Sequence, residues 1–190
     1  VHKGLFHKNI CINNALISMY VRLGMQDKAQ QVFDELLLRD VVSWTSLMSG
    51  FTLQGQPGKA AQCYKQMLEE AIYPDAVTFT CILKAYTSLG SIENGKRIHI
   101  MITKQELLRT NIVLGTALVD MYGKCGMIRK AQEVFDALLV RDSISWTALI
   151  TGYVHEGHFK EALDCYRQLQ KEGLSPNAAT FACILKACGN

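Results

Sequence analysis

The chain contains no C-x-x-C pair among its seven cysteines, no apolar run near the about 20 residues needed to cross a bilayer, and little excess charge of either sign. Each shortage excludes something. Without ligand pairs at finger spacing, Cys11, Cys63, Cys81, Cys125, Cys165, Cys183 and Cys188 do not read as a zinc site. An odd, unpaired set lying inside apolar patterns reads instead as small core residues in a reducing compartment. The start VHKGLF has neither the form of a signal peptide nor that of an Arg- and Ser-rich transit peptide. Because the chain starts at Val1 rather than Met, it reads as a fragment or processed product whose address label, if it has one, lies elsewhere. A formal charge of +3 permits a polyanionic partner without announcing one. No membrane association is expected.

What the chain does contain, at 49% hydrophobic residues over 190 positions, is material for an ordinary globular core, and it repeats itself. ICINNALISMYVRLGMQDKAQQVFDELLLRD from Ile10 returns as IVLGTALVDMYGKCGMIRKAQEVFDALLVRD from Ile112, an offset of 102 residues. At the same offset RDVVSWTSLMSGF from Arg39 returns as RDSISWTALITGY, Cys63 and Tyr64 as Cys165 and Tyr166, and FTCILKA from Phe79 as FACILKA.

Inside each long unit runs a finer period of thirty-odd residues, in which one apolar-periodic stretch, a Gly-centred break and a second such stretch predict a helix pair. Ala15, Leu16, Met19, Tyr20 and Leu23 have helical spacing before Gly24, and Asp27 is placed to cap the next helix, whose stripe is Ala29, Val32, Phe33 and Leu36. Trp44, Leu47, Met48 and Phe51 mark a third helix. Ala60, Cys63, Tyr64, Met67 and Leu68 mark a fourth, and Pro74 closes the module that begins at Val41. A further pair runs from Phe79 to Leu89 and, after Gly90 and a Ser91 cap, from Ile92 to about Lys104. Helices of about 12 residues cannot bury their faces alone, so the pairs must stack. The predicted fold class is all-α, a right-handed α-α superhelix, or solenoid, of helix-turn-helix repeats.

The Ala-x-x-x-Phe seam, Ala29 to Phe33 and Ala131 to Phe135, is shared with tetratricopeptide repeats, but their Leu-Gly pair after Trp is absent. NALISMY, TALVDMYGKCG, AQQVFDELLLRDVVSW, AQEVFDALLVRDSISW and ENGKRIH together resemble the pentatricopeptide repeat family, and more narrowly its plant PLS subclass of alternating long, short and ordinary motifs. In that register residues 1–9 end a long motif, 10–40 form a short motif, 41–75 an ordinary one and 76–111 a long one. The cycle returns as 112–142 and 143–177, and residues 178–190 begin a long motif cut after its first helix, so the chain reads as a slice of a longer array.

The resemblance implies single-stranded RNA binding at one base per repeat, read by the fifth and last residues of each motif. Those are Asn14 with Asp40 (U), Thr45 with Asp75 (G), Thr80 with Asn111 (A-like, in a long motif that follows the tendency poorly), Thr116 with Asp142 (G), and Thr147 with Asn177 (A). The implied target is 5′-UGNGA-3′. The second residues, Cys11, Val42, Val77, Val113 and Ile144, are expected to wedge between bases, and Arg22 and Lys124 to meet phosphate. The bland readings stand beside these: Thr and Asp favour helix caps and turns, and Trp44 and Trp146 share the apolar stripe of Leu47 and Leu149 and read as core. HEGH at His155 to His158 lacks the H-E-x-x-H spacing of a metal site, and His99 reads as a surface or packing residue. No cofactor is implied. Neither H-x-E nor C-x-x-C of zinc deaminases occurs, so no enzyme is expected in this chain. The resemblance further implies the specificity part of a mitochondrial or chloroplast RNA editing factor, with protein accessory factors of an editing complex as added partners. A tetratricopeptide-like protein scaffold is the alternative, and a truncated editing enzyme a third.

Overall fold

The computed structural model describes residues 10–109 and 111–189, and among them every regular element is a helix. The expected end of a long motif at residues 1–9 and the terminal Asn190 lie outside the described residues. The elements are α1 (Ile10–Arg22), α2 (Gln26–Asp34), α3 (Val41–Leu53), α4 (Pro57–Glu69), α5 (Ala76–Ser88), α6 (Ile92–Lys104), a 3-10 turn (Leu107–Arg109), α7 (Ile112–Lys124), α8 (Ile128–Asp136), α9 (Ser143–His155), α10 (Phe159–Lys171) and α11 (Ala178–Cys188). None is long and apolar enough to cross a membrane.

Two compact units meet in sequence at Leu89 and Gly90. In the first, α1 and α2 form an antiparallel pair, α3 packs on α1 and on its own partner α4, and α5 packs on both α3 and α4. The core is the one the periodicity predicts: Ala29, Phe33, Trp44, Leu47, Met48, Phe51, Ala60, Cys63, Tyr64 and Met67 are all buried. In the second unit α7 packs on α6, α8 and α9, and α11 closes on α9 and α10. There Leu114, Leu118, Met121, Tyr122, Phe135, Trp146 and Leu149 fill the equivalent places.

Several expectations are corrected by neighbours that periodicity cannot see. On α1 the helix forms as its spacing predicts, but Asn13, Asn14 and Ile17 are its buried residues, and Met19 is 42% exposed. Its counterpart Met121 is fully buried because α6 lies against α7 and Gly95 leaves room for the Met121 thioether. Leu68 is likewise exposed, on the outer side of α4. Asp27 is not a cap; Met25 holds that position, and Asp27 sits in the first turn of α2, where its charge still favours the helix dipole. Ser91 does occupy the N-cap of α6, but its hydroxyl makes no bond to backbone and instead accepts from Asn94 Nδ2 at 3.0 Å.

Pro74 lies beyond α4, near the end of the predicted motif 41–75. That helix stops at Glu69, and Ala71 then takes the left-handed conformation at φ 56°, so that the Ile72 amide bonds the Met67 carbonyl at 3.1 Å. The counterpart turn after α10 has Gly173 at φ 71°, with Leu174 N bonded to Leu169 O at 3.2 Å. Glycine reaches this region without steric cost and alanine does not.

Candidate nucleic-acid interface

The candidate interface begins with helix capping. An α-helix leaves its first amides unpaired, and a short Asp or Asn side chain just before the first turn satisfies them. Asp40, Asp75, Asn111, Asp142 and Asn177 are all such caps, of α3, α5, α7, α9 and α11. Each accepts from the amide three residues on, Ser43, Thr78, Leu114, Ser145 and Thr180, at 2.8 to 3.0 Å. In every case the amide bond engages Oδ1. The second atom, Oδ2 in the aspartates and Nδ2 in the asparagines, is left to other partners.

Those five residues are the last residues of the predicted motifs, and the fifth residues meet them in different ways. Asn14 Nδ2 donates to both oxygens of Asp40, at 3.1 and 3.2 Å. Thr45 and Asp75 are joined through a third residue: the Thr45 and Thr78 hydroxyls lie 2.7 Å apart, and Thr78 donates to Asp75 Oδ1 at 2.8 Å. Thr147 and Thr180 also lie 2.7 Å apart, Thr180 donates to Asn177 Oδ1 at 3.1 Å, and Asn177 Nδ2 reaches Thr147 directly at 3.3 Å. Thr116 and Asp142, both half-buried, are not hydrogen-bonded to each other. Thr80 belongs to the first unit, where its hydroxyl bonds the Ala76 carbonyl at 2.8 Å, and Asn111 belongs to the second.

Exposure separates these groups. Thr45 and Thr147 keep only 9% and 7% of their surface, whereas Asp75 is exposed. Val42, Val77, Val113 and Ile144, in the first turns of α3, α5, α7 and α9, are 49 to 63% exposed, and Cys11 in the first turn of α1 is exposed too. An aliphatic side chain recurring in water beside each cap serves no core.

Arg22 and Lys124 close the last turns of α1 and α7, both exposed, and Lys124 is paired with Asp120 at 2.9 Å. Trp44 and Trp146 sit in the core, edge-on to Phe33 and Phe135 at 4.6 Å. Each spends its indole N–H on a carboxylate, Glu70 at 3.2 Å and Glu172 at 2.9 Å, which the sequence reading did not foresee.

Burial pushes the Cys63 thiol up to about 11 and the Cys165 thiol to about 12, so both stay protonated as packing residues. His155 lies beside Glu156 at 3.3 Å, and His158 precedes α10 near Glu161. His99 packs against Tyr122, its Nδ1 2.9 Å from the phenol oxygen, and burial lowers its pKa, with Lys130 adding to the shift. Sequence reasoning missed Ser43, Thr78, Ser145 and Thr180, although the spacing Asp/Asn-x-x-Ser/Thr of a reciprocal cap marks all four.

Comparison with known proteins places these elements. The profile of the PPR repeat family matches residues 39–88 and 141–190, and that of the PPR repeat matches 14–41 and 116–142. A pentatricopeptide repeat-containing protein of Arabidopsis thaliana is 33% identical over all of this chain and 26% of its own length. Another, named mitochondrial, is 34% identical over 100% of this chain and 34% of itself. A third, named chloroplastic, is 35% identical over 99% and 30%. The chain thus spans about a third or less of these relatives. The crystal structure of PPR10 in complex with an 18-nt psaJ RNA element matches 93% of this chain and 27% of its own at a TM-score of 0.77 and 18% identity. The PPR domain of Arabidopsis thaliana protein-only RNase P 1, in complex with tRNA, matches 94% of this chain and 100% of its own at 0.70 and 15%. The all-α solenoid predicted from the periodicity is the fold shared with these structures. Its helix pairs, their internal repeat and the matching profiles together establish that this chain belongs to the pentatricopeptide repeat family.

Proposed function

We propose that the chain binds single-stranded RNA and reads it one base per motif, with the motif limits set out above and the PLS alternation of short, ordinary and long motifs. Support for those limits comes from the helices: α1, α3, α5, α7, α9 and α11 open at the first residue of each motif. The neighbours solved with RNA and tRNA support the partner class.

One observation carries the base-reading assignment. The backbone cap consumes Oδ1 at these five motif boundaries, so an aspartate is left with an acceptor and an asparagine with a donor. Uracil N3–H and guanine N1–H donate on the Watson–Crick edge, whereas adenine N1 and cytosine N3 accept. Asp40, Asp75 and Asp142 therefore favour U or G, and Asn111 and Asn177 favour A or C. The choice within each class falls to the fifth residue: Asn14, hydrogen-bonded to Asp40, takes uracil, and Thr45, Thr116 and Thr147 take purines. The exposed Val42, Val77, Val113 and Ile144 supply apolar contact to base faces, and Arg22 and Lys124 supply charge toward phosphate.

The proposed preference is 5′-UGNGA-3′, and the proposed role is the recognition part of an organellar RNA editing or processing factor, with catalysis elsewhere. Relatives named mitochondrial and chloroplastic support the compartment. Selection of bound RNAs from a random pool tests the reading: enrichment of this pentamer is expected, and equal binding of a scrambled pentamer at matched salt refutes it. A second reading, a protein-binding scaffold, draws on the apolar pairs Leu37 with Leu38 and Leu139 with Val140, which are 66 to 79% exposed at equivalent places. It predicts no enriched RNA and shallow salt dependence.

A further inference from the structure

We propose that Thr78 and Thr180, the third residues of the motifs that follow two of the readers, are positioning residues that fix the direction of hydrogen donation at Thr45 and Thr147. This rests on the RNA reading above. Both are fully buried and touch no solvent, so any effect on a base must pass through their neighbours.

Each threonine hydroxyl carries a single proton. Thr78 lies between Asp75 Oδ1 at 2.8 Å and Thr45 Oγ1 at 2.7 Å. A carboxylate only accepts, so the single hydroxyl proton of Thr78 goes to Asp75. The bond between the two threonines must then be donated by Thr45, and the Thr45 oxygen is left with lone pairs alone. Beside it Asp75 Oδ2 is a second acceptor. Guanine fits that pair, since N1–H and N2–H are adjacent donors. Uracil does not: its single N3–H is flanked by carbonyl oxygens, one of which must face the Thr45 lone pairs.

The second copy repeats the device with an asparagine. Thr180 donates to Asn177 Oδ1 at 3.1 Å, and Asn177 Nδ2 donates to Thr147 at 3.3 Å. With the Thr180 proton on Asn177 Oδ1, the 2.7 Å contact between the two threonines is donated by Thr147, whose oxygen also lies 2.6 Å from the Ser143 carbonyl and shares its proton with it. One Thr147 lone pair accepts from Asn177 Nδ2 and the other remains, beside the second Asn177 N–H, and adenine N6–H with N1 matches that order.

A contrast lies in the motif between them. Thr116 and Asp142 are the same residue types as Thr45 and Asp75, but Ser145 replaces Thr78. The Ser145 hydroxyl turns back to the backbone, accepting from Asp142 N and donating to Asp142 O, each at 2.9 Å. Ser43 does the same with Asp40. Thr116 therefore keeps a hydroxyl that is not committed through the third residue, and its module is expected to separate G from U less sharply.

The test uses the chain with synthetic RNAs 5′-UGAGA-3′, 5′-UUAGA-3′ and 5′-UGAUA-3′ in competition at fixed salt. In the wild type the G over U ratio at the second base should exceed that at the fourth by about fivefold, the worth of one ordinary hydrogen bond. Thr78→Ser keeps the amide bond to Asp75 and introduces the serine that forms a reciprocal cap at Ser43 and Ser145, and should lower the second-base ratio to the level of the fourth without moving the unfolding midpoint. Thr78→Val should give the same loss of preference with some loss of stability, and Ser145→Thr should raise the fourth-base ratio. A folded Thr78→Ser variant with an unchanged ratio overturns the positioning role while leaving RNA reading intact. A wild type with no base preference at either place overturns both.

Discussion

Replacing Asp75 by asparagine exchanges one atom of an exposed side chain, and the structure already contains the product. Asn177 occupies the equivalent place and caps α11 with Thr180 N at 2.9 Å, against 2.8 Å for Thr78 N on Asp75. The hydroxyl contact also persists, 3.1 Å in place of 2.8 Å. Asp and Asn cap helices about equally, so Asp75→Asn should change stability by less than about 0.5 kcal/mol. The outward atom changes from acceptor to donor, however. Guanine N1–H then meets N–H, whereas adenine N1 gains a partner. Leaving such a group unpaired costs about 1–3 kcal/mol, so the A over G ratio at the second base should swing by roughly five- to a hundredfold. Competition between 5′-UGAGA-3′ and 5′-UAAGA-3′ reads the ratio at matched salt, which cancels the gain in overall affinity from deleting a negative charge. Asp75→Ala supplies the control: it loses the cap and about 1 kcal/mol of stability. If Asp75→Asn leaves the ratio unmoved, Asp75 is a cap and nothing more, and the reading argument fails.

Three further outcomes follow from packing and charge. Ala71→Gly should stabilise the first unit by about 1 kcal/mol, since alanine at φ 56° carries a strain that Gly173 avoids, and Gly173→Ala should cost a similar amount; denaturant midpoints moving in the same direction for both would contradict this. Gly123→Ala should destabilise by about 1–3 kcal/mol, because its Cβ would lie 2.9 Å from the Gly152 Cα, whereas Gly58→Ala meets nothing within 4 Å and should gain up to about 1 kcal/mol of helix propensity. His99 has a pKa depressed by burial, so the unfolded chain binds more protons below its ordinary value near 6.5; stability should therefore fall as pH drops below about 6.5. Urea titrations of His99→Gln across pH 5 to 7 should show a flatter dependence, and an unchanged slope would place the effect elsewhere.

The helices were legible because two periods agree: side chains recur at helical spacing, and the whole pattern returns 102 residues later. Which face of each helix is buried was less legible, because burial belongs to pairs of helices. Leu16, Met19 and Tyr20 carry the same pattern as Leu118, Met121 and Tyr122, yet only the latter have α6 beside them. Gln26 shows the same limit in polar form. It stands where the repeat has Ile128, is 7% exposed, and donates to the Leu47 carbonyl at 3.3 Å over Gly50, a contact that no local pattern announces. At the candidate interface the last residue of each motif was legible by register. That Thr45 and Thr147 are buried, and tied to Thr78 and Thr180, depends on where the next motif's first helix lies.

The shared duty of the cap residues bears on how such a chain changes over generations. Most surface positions accept many substitutions, but a helix start accepts few, and Asp and Asn are both among them. Their codons differ by a single transition. On the proposed reading, a change of target can thus arrive in one mutational step through an intermediate that still folds, while most other replacements at the same place are removed for weakening the helix. Stability acts here as a filter on spelling: it confines drift at Asp40, Asp75, Asn111, Asp142 and Asn177 to the few good helix caps, among which Asp and Asn would, on the proposed reading, present opposite atoms to a base.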